Sequence, residues 1–143
     1  MSHNLVIIFI AAFTPSLAWL GYFYLRDQLE REPLHLVLTV FGGGLLAGPI
    51  SLGLFYMLEQ SPFYRDIEWL QEAVIWKQAI YCFMAIGPIE EISKFVVVWF
   101  FIDRRHIVFD SPFDGMIYAA AAALGFATIE NWYFMLEVEE PVW

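Results

Sequence analysis

The sequence predicts an all-α, polytopic integral membrane protein with about four transmembrane helices. Composition is the first sign: 60% of the 143 residues are hydrophobic and 19% aromatic, whereas a soluble domain is about half apolar. Patterning is the second. No Asp, Glu, Lys or Arg occurs from Met1 to Leu25, from Pro33 to Leu58, or from Gly115 to Ile129. The first two runs exceed the ~20 residues that a helix needs to cross a bilayer. Lipid offers the backbone no hydrogen-bond partner, so the spans must be helices.

The first span covers residues 4–25. It lacks a basic leader and its apolar run is too long for a cleaved signal peptide. The second covers 34–58 and carries Gly42-Gly43-Gly44 and then Gly48, small residues that let helices approach closely; packing is the simplest role for them. Pro15 and Pro49 predict kinks. In the second loop Ile67, Leu70 and Val74 recur at helical spacing beside Trp69 and Trp76. That pattern fits a short interfacial helix or a helical extension of the third span. The third span, 77–102, is predicted to break or kink at Gly87-Pro88, because Pro88 has no backbone N–H to donate. The fourth, 113–136, contains Ala119 to Ala123 and Gly125, again suited to close packing. Together they form one transmembrane domain over 1–143.

Basic residues orient the chain. The first loop holds Arg26 and Arg31 and the third Arg104 and Arg105, while the second sets Arg65 and Lys77 among Glu59, Asp66, Glu68 and Glu72. Loops one and three are therefore expected in the cytoplasm and the N-terminus outside. The formal charge of −9 argues against a nucleic-acid partner. Cys82 is the single cysteine, which rules out an intrachain disulfide or a multi-cysteine metal site. No phosphate-binding loop, internal repeat or low-complexity segment is present.

Ionisable groups at bilayer depth are expensive and mark functional sites. The third span carries Glu90, Glu91 and Lys94; the fourth carries Asp114 at its start and Glu130 deep inside. Lys94 follows Glu90 by four residues and Glu91 by three, spacings at which helical side chains pair. A helix restarting after Gly87-Pro88 would also place both carboxylates in a first turn, where the helix dipole favours them. At ~1.5 Å per residue Glu91 lies roughly 18 Å from Asp103, and Glu130 roughly 25 Å from Phe113. In a hairpin these depths are comparable, so three carboxylates could line one pocket. Such a cluster cannot all stay ionised in low dielectric, which points to a shared proton or a general base. Phe126 shares a helical face with Glu130, and Asn131 and Tyr133 follow as candidate hydrogen-bonding neighbours. A lone Glu–Lys pair is often only structural; the second glutamate, the Gly-Pro irregularity and Glu130 at matching depth together favour function. Asp114 serves equally well as a helix cap, and His3, His35 and His106 read as interfacial.

These residues resemble the PrsW family of intramembrane proteases. Glu90-Glu91-Ile92-Ser93-Lys94 is similar to its E-E-x-x-K motif, and Phe126-Ala127-Thr128-Ile129-Glu130 to its F-x-x-x-E motif. The surroundings Phe113-Asp114-Gly115 and Arg31-Glu32-Pro33 agree, so the resemblance covers nearly the whole chain. It implies a polytopic protease of the superfamily that includes the type II CAAX prenyl proteases, cutting membrane-anchored proteins such as anti-sigma factors. It also implies a catalytic pair at Glu90 and Glu91, with Lys94 and Glu130 in support. The family pattern continues into further spans with a histidine motif, whereas no His follows Glu130 here. The expectation is an N-terminal part of a longer family domain.

The mechanism expected is water-dependent peptide hydrolysis by one glutamate of the pair, the other positioning the water or a metal. Zinc usually takes nitrogen or sulfur ligands, so a divalent metal such as zinc is expected only if histidines come from a further region. Direct glutamate catalysis stays open, as do two non-enzymatic readings: a proton or cation path, or a degenerate homologue that grips transmembrane helices without cutting them. The expected partners are the lipid bilayer and a membrane-anchored substrate. The expected location is a prokaryotic plasma membrane.

Overall fold

A computed structural model describes residues 2–26, 32–72, 74–102 and 112–139. Among these residues the ordered elements are all helical: α1 (Ser2–Arg26), α2 (Leu34–Glu59), α3 (Pro62–Ile67), α4 (Ile75–Tyr81), α5 (Gly87–Ile102) and α6 (Pro112–Glu139). A 3-10 turn, Glu68–Gln71, follows α3, and a π-helical turn, Cys82–Ile86, joins α4 to α5. Two helical stretches, Leu5–Arg26 and Leu34–Glu59, are long and apolar enough to cross a bilayer. The third loop, with Arg104, Arg105 and His106, lies outside the described residues, as do Arg31 and the acidic tail from Glu140.

The central helix is α2. It packs most extensively on α6 and next on α5, while α1 covers another part of α6. Lipid tails are as apolar as leucine, so association rests on close packing rather than on escape from water. Small residues supply it. Gly44 sits against the Ala122 carbonyl, and Gly125 against the Phe41 carbonyl. A Cβ built on Gly43 would lie 2.7 Å from Val97 Cγ1, and one on Gly48 2.6 Å from Ile129 Cγ2. The glycines of α2 thus admit α5 on one side and α6 on another. Around them lie two clusters: Leu20, Leu36, Val37, Val40, Phe41, Tyr118, Ala121 and Ala122 in one, and Ala47, Val97 and Phe126 in the other.

Hydroxyl groups on these faces satisfy themselves locally, as buried polar groups must. Ser51 donates to the Gly48 carbonyl at 2.7 Å, Ser93 to Ile89 at 2.8 Å and Thr128 to Leu124 at 2.7 Å. Both α1 and α2 run through their internal prolines, Pro15 and Pro49, without a break in the helix.

The second loop does not simply extend the following helix. Ser61 caps α3 by accepting a bond from the Tyr64 N–H at 3.3 Å, with Pro62 favourably placed at the first position. The chain is then extended at Val74 before α4 begins. At the other end of the bundle Tyr118, fully buried in α6, donates a hydrogen bond to Glu32 just before α2.

Candidate functional site

The candidate site begins with the main chain around Pro88. The sequence predicts a break or kink at Gly87-Pro88; the backbone stays helical there, and the irregularity falls one turn earlier as the π turn Cys82–Ile86. The Gly87 N–H reaches back five residues to the Cys82 carbonyl. Such a turn absorbs one extra residue and recurs at functional positions in helices. Here it sets the rotation at which α5 presents the next turn, the one that carries Glu90 and Glu91.

Lys94 organises that turn. Its Nζ lies 2.7 Å from Glu91 Oε1 and 3.9 Å from Glu90 Oε2, the two pairings that helical spacing predicts. The two glutamates are not equivalent. The Glu91 side chain is 74% exposed and faces away from the other helices, whereas Glu90 is 24% exposed and Lys94 only 18%. Adjacent residues on a helix point about 100° apart, so one turns inward and the other out.

From α6, Phe126 meets this turn. Its ring is buried, and the Lys94 ammonium stands 4.4 Å from the ring centroid. One turn further along α6 the half-buried Glu130 comes within electrostatic reach of Glu90 and Lys94. The residues of the two sequence motifs are therefore brought together: Glu90, Lys94, Phe126 and Glu130, with Glu91 attached from outside through Lys94. Asn131 is exposed on the neighbouring face of α6.

Asp114 stands apart. It is buried in the first turn of α6, one turn from Tyr118, and roughly 24 Å along the helix from Glu130 by the α-helical rise. It belongs with Tyr118 and Glu32 at the other end of the bundle. The Glu32–Tyr118 bond joins residues far apart in the chain and left no periodic trace in the sequence.

The donor set can be tested against a metal. Among the described residues no three His, Cys, Asp or Glu side chains converge as a metal would need. The nearest Glu91 oxygen is already engaged by Lys94. A catalytic zinc takes about three protein ligands, and the described residues do not fit that requirement.

Residues 32–141 match the family described as PrsW family intramembrane metalloprotease. The chain is 39% identical to Protease PrsW of Geobacillus kaustophilus over 127 residues, 88% of this chain and 51% of that protein. It is 35% identical to Protease PrsW of Bacillus subtilis and 35% identical to that of Oceanobacillus iheyensis, each over 130 residues, 90% of this chain and 54% of the relative. The chain thus spans about half the length of these curated relatives. No solved structure matches it.

Proposed function

Because this chain belongs to the PrsW family of intramembrane metalloproteases, we propose that it provides the glutamate-bearing part of an endopeptidase that hydrolyses peptide bonds of membrane-anchored proteins. The observation that carries this reading is the meeting of α5 and α6 at Lys94. There Glu90 and Lys94 of one motif meet Phe126 and Glu130 of the other, with Glu91 held from outside through Lys94. A purely structural ion pair needs only one carboxylate. Here two carboxylates pair with one ammonium and a third, Glu130, lies within electrostatic reach of it, and ionisable groups held in a membrane domain are costly enough to mark a functional site.

In the proposed architecture α1, α2, the α4–α5 helix and α6 are four spans of one transmembrane domain in the plasma membrane, with the N-terminus outside. The π turn before Gly87 is the interruption of the third span.

The geometry supports a division of work between the glutamates. Glu91 is committed to Lys94 by a short ion pair, while Glu90 keeps its looser contact and turns toward Glu130. Glu90 is therefore the base. It takes a proton from water as the water oxygen adds to the scissile carbonyl carbon. It returns that proton to the leaving nitrogen when the C–N bond breaks. Lys94 offsets the negative charge gathered around the reacting atoms, and Glu130 closes the polar side of the pocket. The family description names a metal, but the described residues do not supply its ligands, and no step here passes through one. Membrane-anchored regulators such as anti-sigma factors are the proposed substrate class.

The test is cleavage of a membrane-anchored anti-sigma reporter in cells that carry the full chain. Glu90→Gln should lower cleavage by about 10²–10⁴-fold, the usual contribution of a general base, while the variant still inserts in the membrane. Cleavage at the unsubstituted rate in that variant would remove Glu90 from the mechanism. No cleavage by the unsubstituted chain would remove the protease reading.

A further inference from the structure

Three contacts converge on the Lys94 ammonium, and they differ in kind. Glu91 holds it from the exposed side at 2.7 Å, Glu90 approaches to 3.9 Å, and the Phe126 ring lies 4.4 Å away on a different helix. A lysine carries its charge on a flexible four-carbon stem, so a single partner does not fix the ammonium in space. Glu91 alone would leave it free to swing outward, away from Glu90 and Glu130. Phe126 is well placed to prevent that. It is 3% exposed, clustered with Ala47 and Val97, and therefore rigid where the lysine is not.

We infer that Phe126 is a positioning residue whose ring face holds the Lys94 ammonium beside Glu90. The inference rests on the proposal that the Glu90–Glu91 turn is the catalytic one. Its content is specific: the phenylalanine acts through the negative face of its ring and not through its volume. The attraction between an ammonium and a ring face is electrostatic and grows when water is excluded. It also gives a physical reason for the spacing on α6. Residues four apart share a helical face, so Phe126 and Glu130 present a cation-binding ring and a carboxylate to the same ammonium. If the ring only filled space, leucine would serve as well.

Two measurements on the full chain test this. The sequence has only two lysines, Lys77 and Lys94, so reductive methylation with ¹³C-formaldehyde gives a readable NMR spectrum in micelles, assigned with Lys77→Arg. The Lys94 methyl signal should be displaced upfield by the ring current. Phe126→Leu should return it to the position of an exposed dimethyl-lysine, and Phe126→Tyr should keep it displaced.

In the cleavage assay, replacing Phe126 with mono-, di- and trifluorophenylalanine drains the ring face while nearly preserving its size. Cleavage should fall stepwise by about tenfold in total, the scale of a desolvated cation–π contact. A flat fluorine series, or a Lys94 signal that ignores Phe126→Leu, overturns the inference. If the unsubstituted chain cleaves nothing, the protease reading fails. The NMR result then still decides whether Phe126 holds Lys94.

Discussion

Gly44 and Gly125 meet where α2 crosses α6, and each occupies the space that the other's side chain would need. A Cβ on Gly44 would stand 3.0 Å from the Gly125 Cα, and a Cβ on Gly125 would stand 3.0 Å from the Gly44 Cα. Both would also drive into carbonyl oxygens of the facing helix, Ala122 for one and Phe41 for the other. Backbone cannot rotate away as a side chain can, so the helices must separate. Gly44→Ala and Gly125→Ala should each destabilise the bundle by about 1–3 kcal/mol, the cost of overpacking, read as a lower unfolding midpoint in detergent. Gly42→Ala and Gly53→Ala are the internal controls, since nothing lies within 4 Å of either added Cβ. They should be neutral, or stabilising by up to about 0.5–1 kcal/mol through helix propensity. Equal effects in the two sets would mean that the crossing is not what these glycines serve.

The bond from Tyr118 to Glu32 predicts a second stability effect. Tyr118 is fully buried, and its hydroxyl reaches the segment that leads into α2. Tyr118→Phe keeps the ring in the cluster of Val37, Val40 and Ala121 but removes the donor. The expected cost is about 1.5–3 kcal/mol, the range for losing a hydrogen bond to a charged group. Glu32→Gln keeps an acceptor and should cost less. The comparison is made by thermal unfolding of the three proteins in the same detergent; an unchanged midpoint for Tyr118→Phe would show that the bond contributes nothing.

What the sequence made legible here followed from periodicity. Lys94 pairs with Glu90 and Glu91 because helical geometry fixes which side chains are neighbours. Phe126 shares a face with Glu130 for the same reason. The rotation of α5 was not legible. Whether Glu90 or Glu91 turns inward depends on how Val97 and Phe101 seat against Gly43 of α2, a contact between helices with no signature in either segment. Nor was the π turn legible: Gly87-Pro88 announces an irregularity, but where the extra residue is absorbed depends on which carbonyl the Gly87 N–H finds. Asp114 shows a further limit. Its position in the first turn of a helix was visible in the sequence; its burial beside Tyr118 needed the packing of α6.

The two ion pairs of Lys94 should differ measurably in coupling. Glu91 is held at 2.7 Å and Glu90 at 3.9 Å. Removing one member of a paired charge leaves the other uncompensated. The double variant Glu91→Gln with Lys94→Met should therefore be more stable than the sum of its single effects, by about 0.2–1 kcal/mol, because Glu91 is largely exposed and the pair is screened. The same cycle with Glu90→Gln should give the smaller coupling. Unfolding midpoints of the variants provide both numbers. Strictly additive effects for the Glu91 pair would show that the short contact is not maintained in solution.

The second loop offers a prediction about the bilayer itself. Trp69 and Trp76 pack edge to face at 6.4 Å, and the Lys77 ammonium stands 5.1 Å from the first ring and 5.7 Å from the second while bonding Glu72 at 2.6 Å. Both rings remain half exposed, with Phe63 and Ile75 exposed nearby. Tryptophans in such clusters gather at the level of the lipid headgroups, where the ring finds an apolar side and the polar edge stays wet. A short helix that ends in this cluster would lie on the membrane surface rather than stand clear of it. In vesicles whose lipids carry bromine at defined depths, a protein retaining only Trp69 and Trp76 as fluorophores should be quenched most strongly by shallow bromines. Lys77→Ala should weaken that preference by loosening both rings. Strong quenching by deep bromines would place the segment inside the hydrocarbon. Quenching by aqueous acrylamide alone would place it in water. In either case the second loop would not be interfacial.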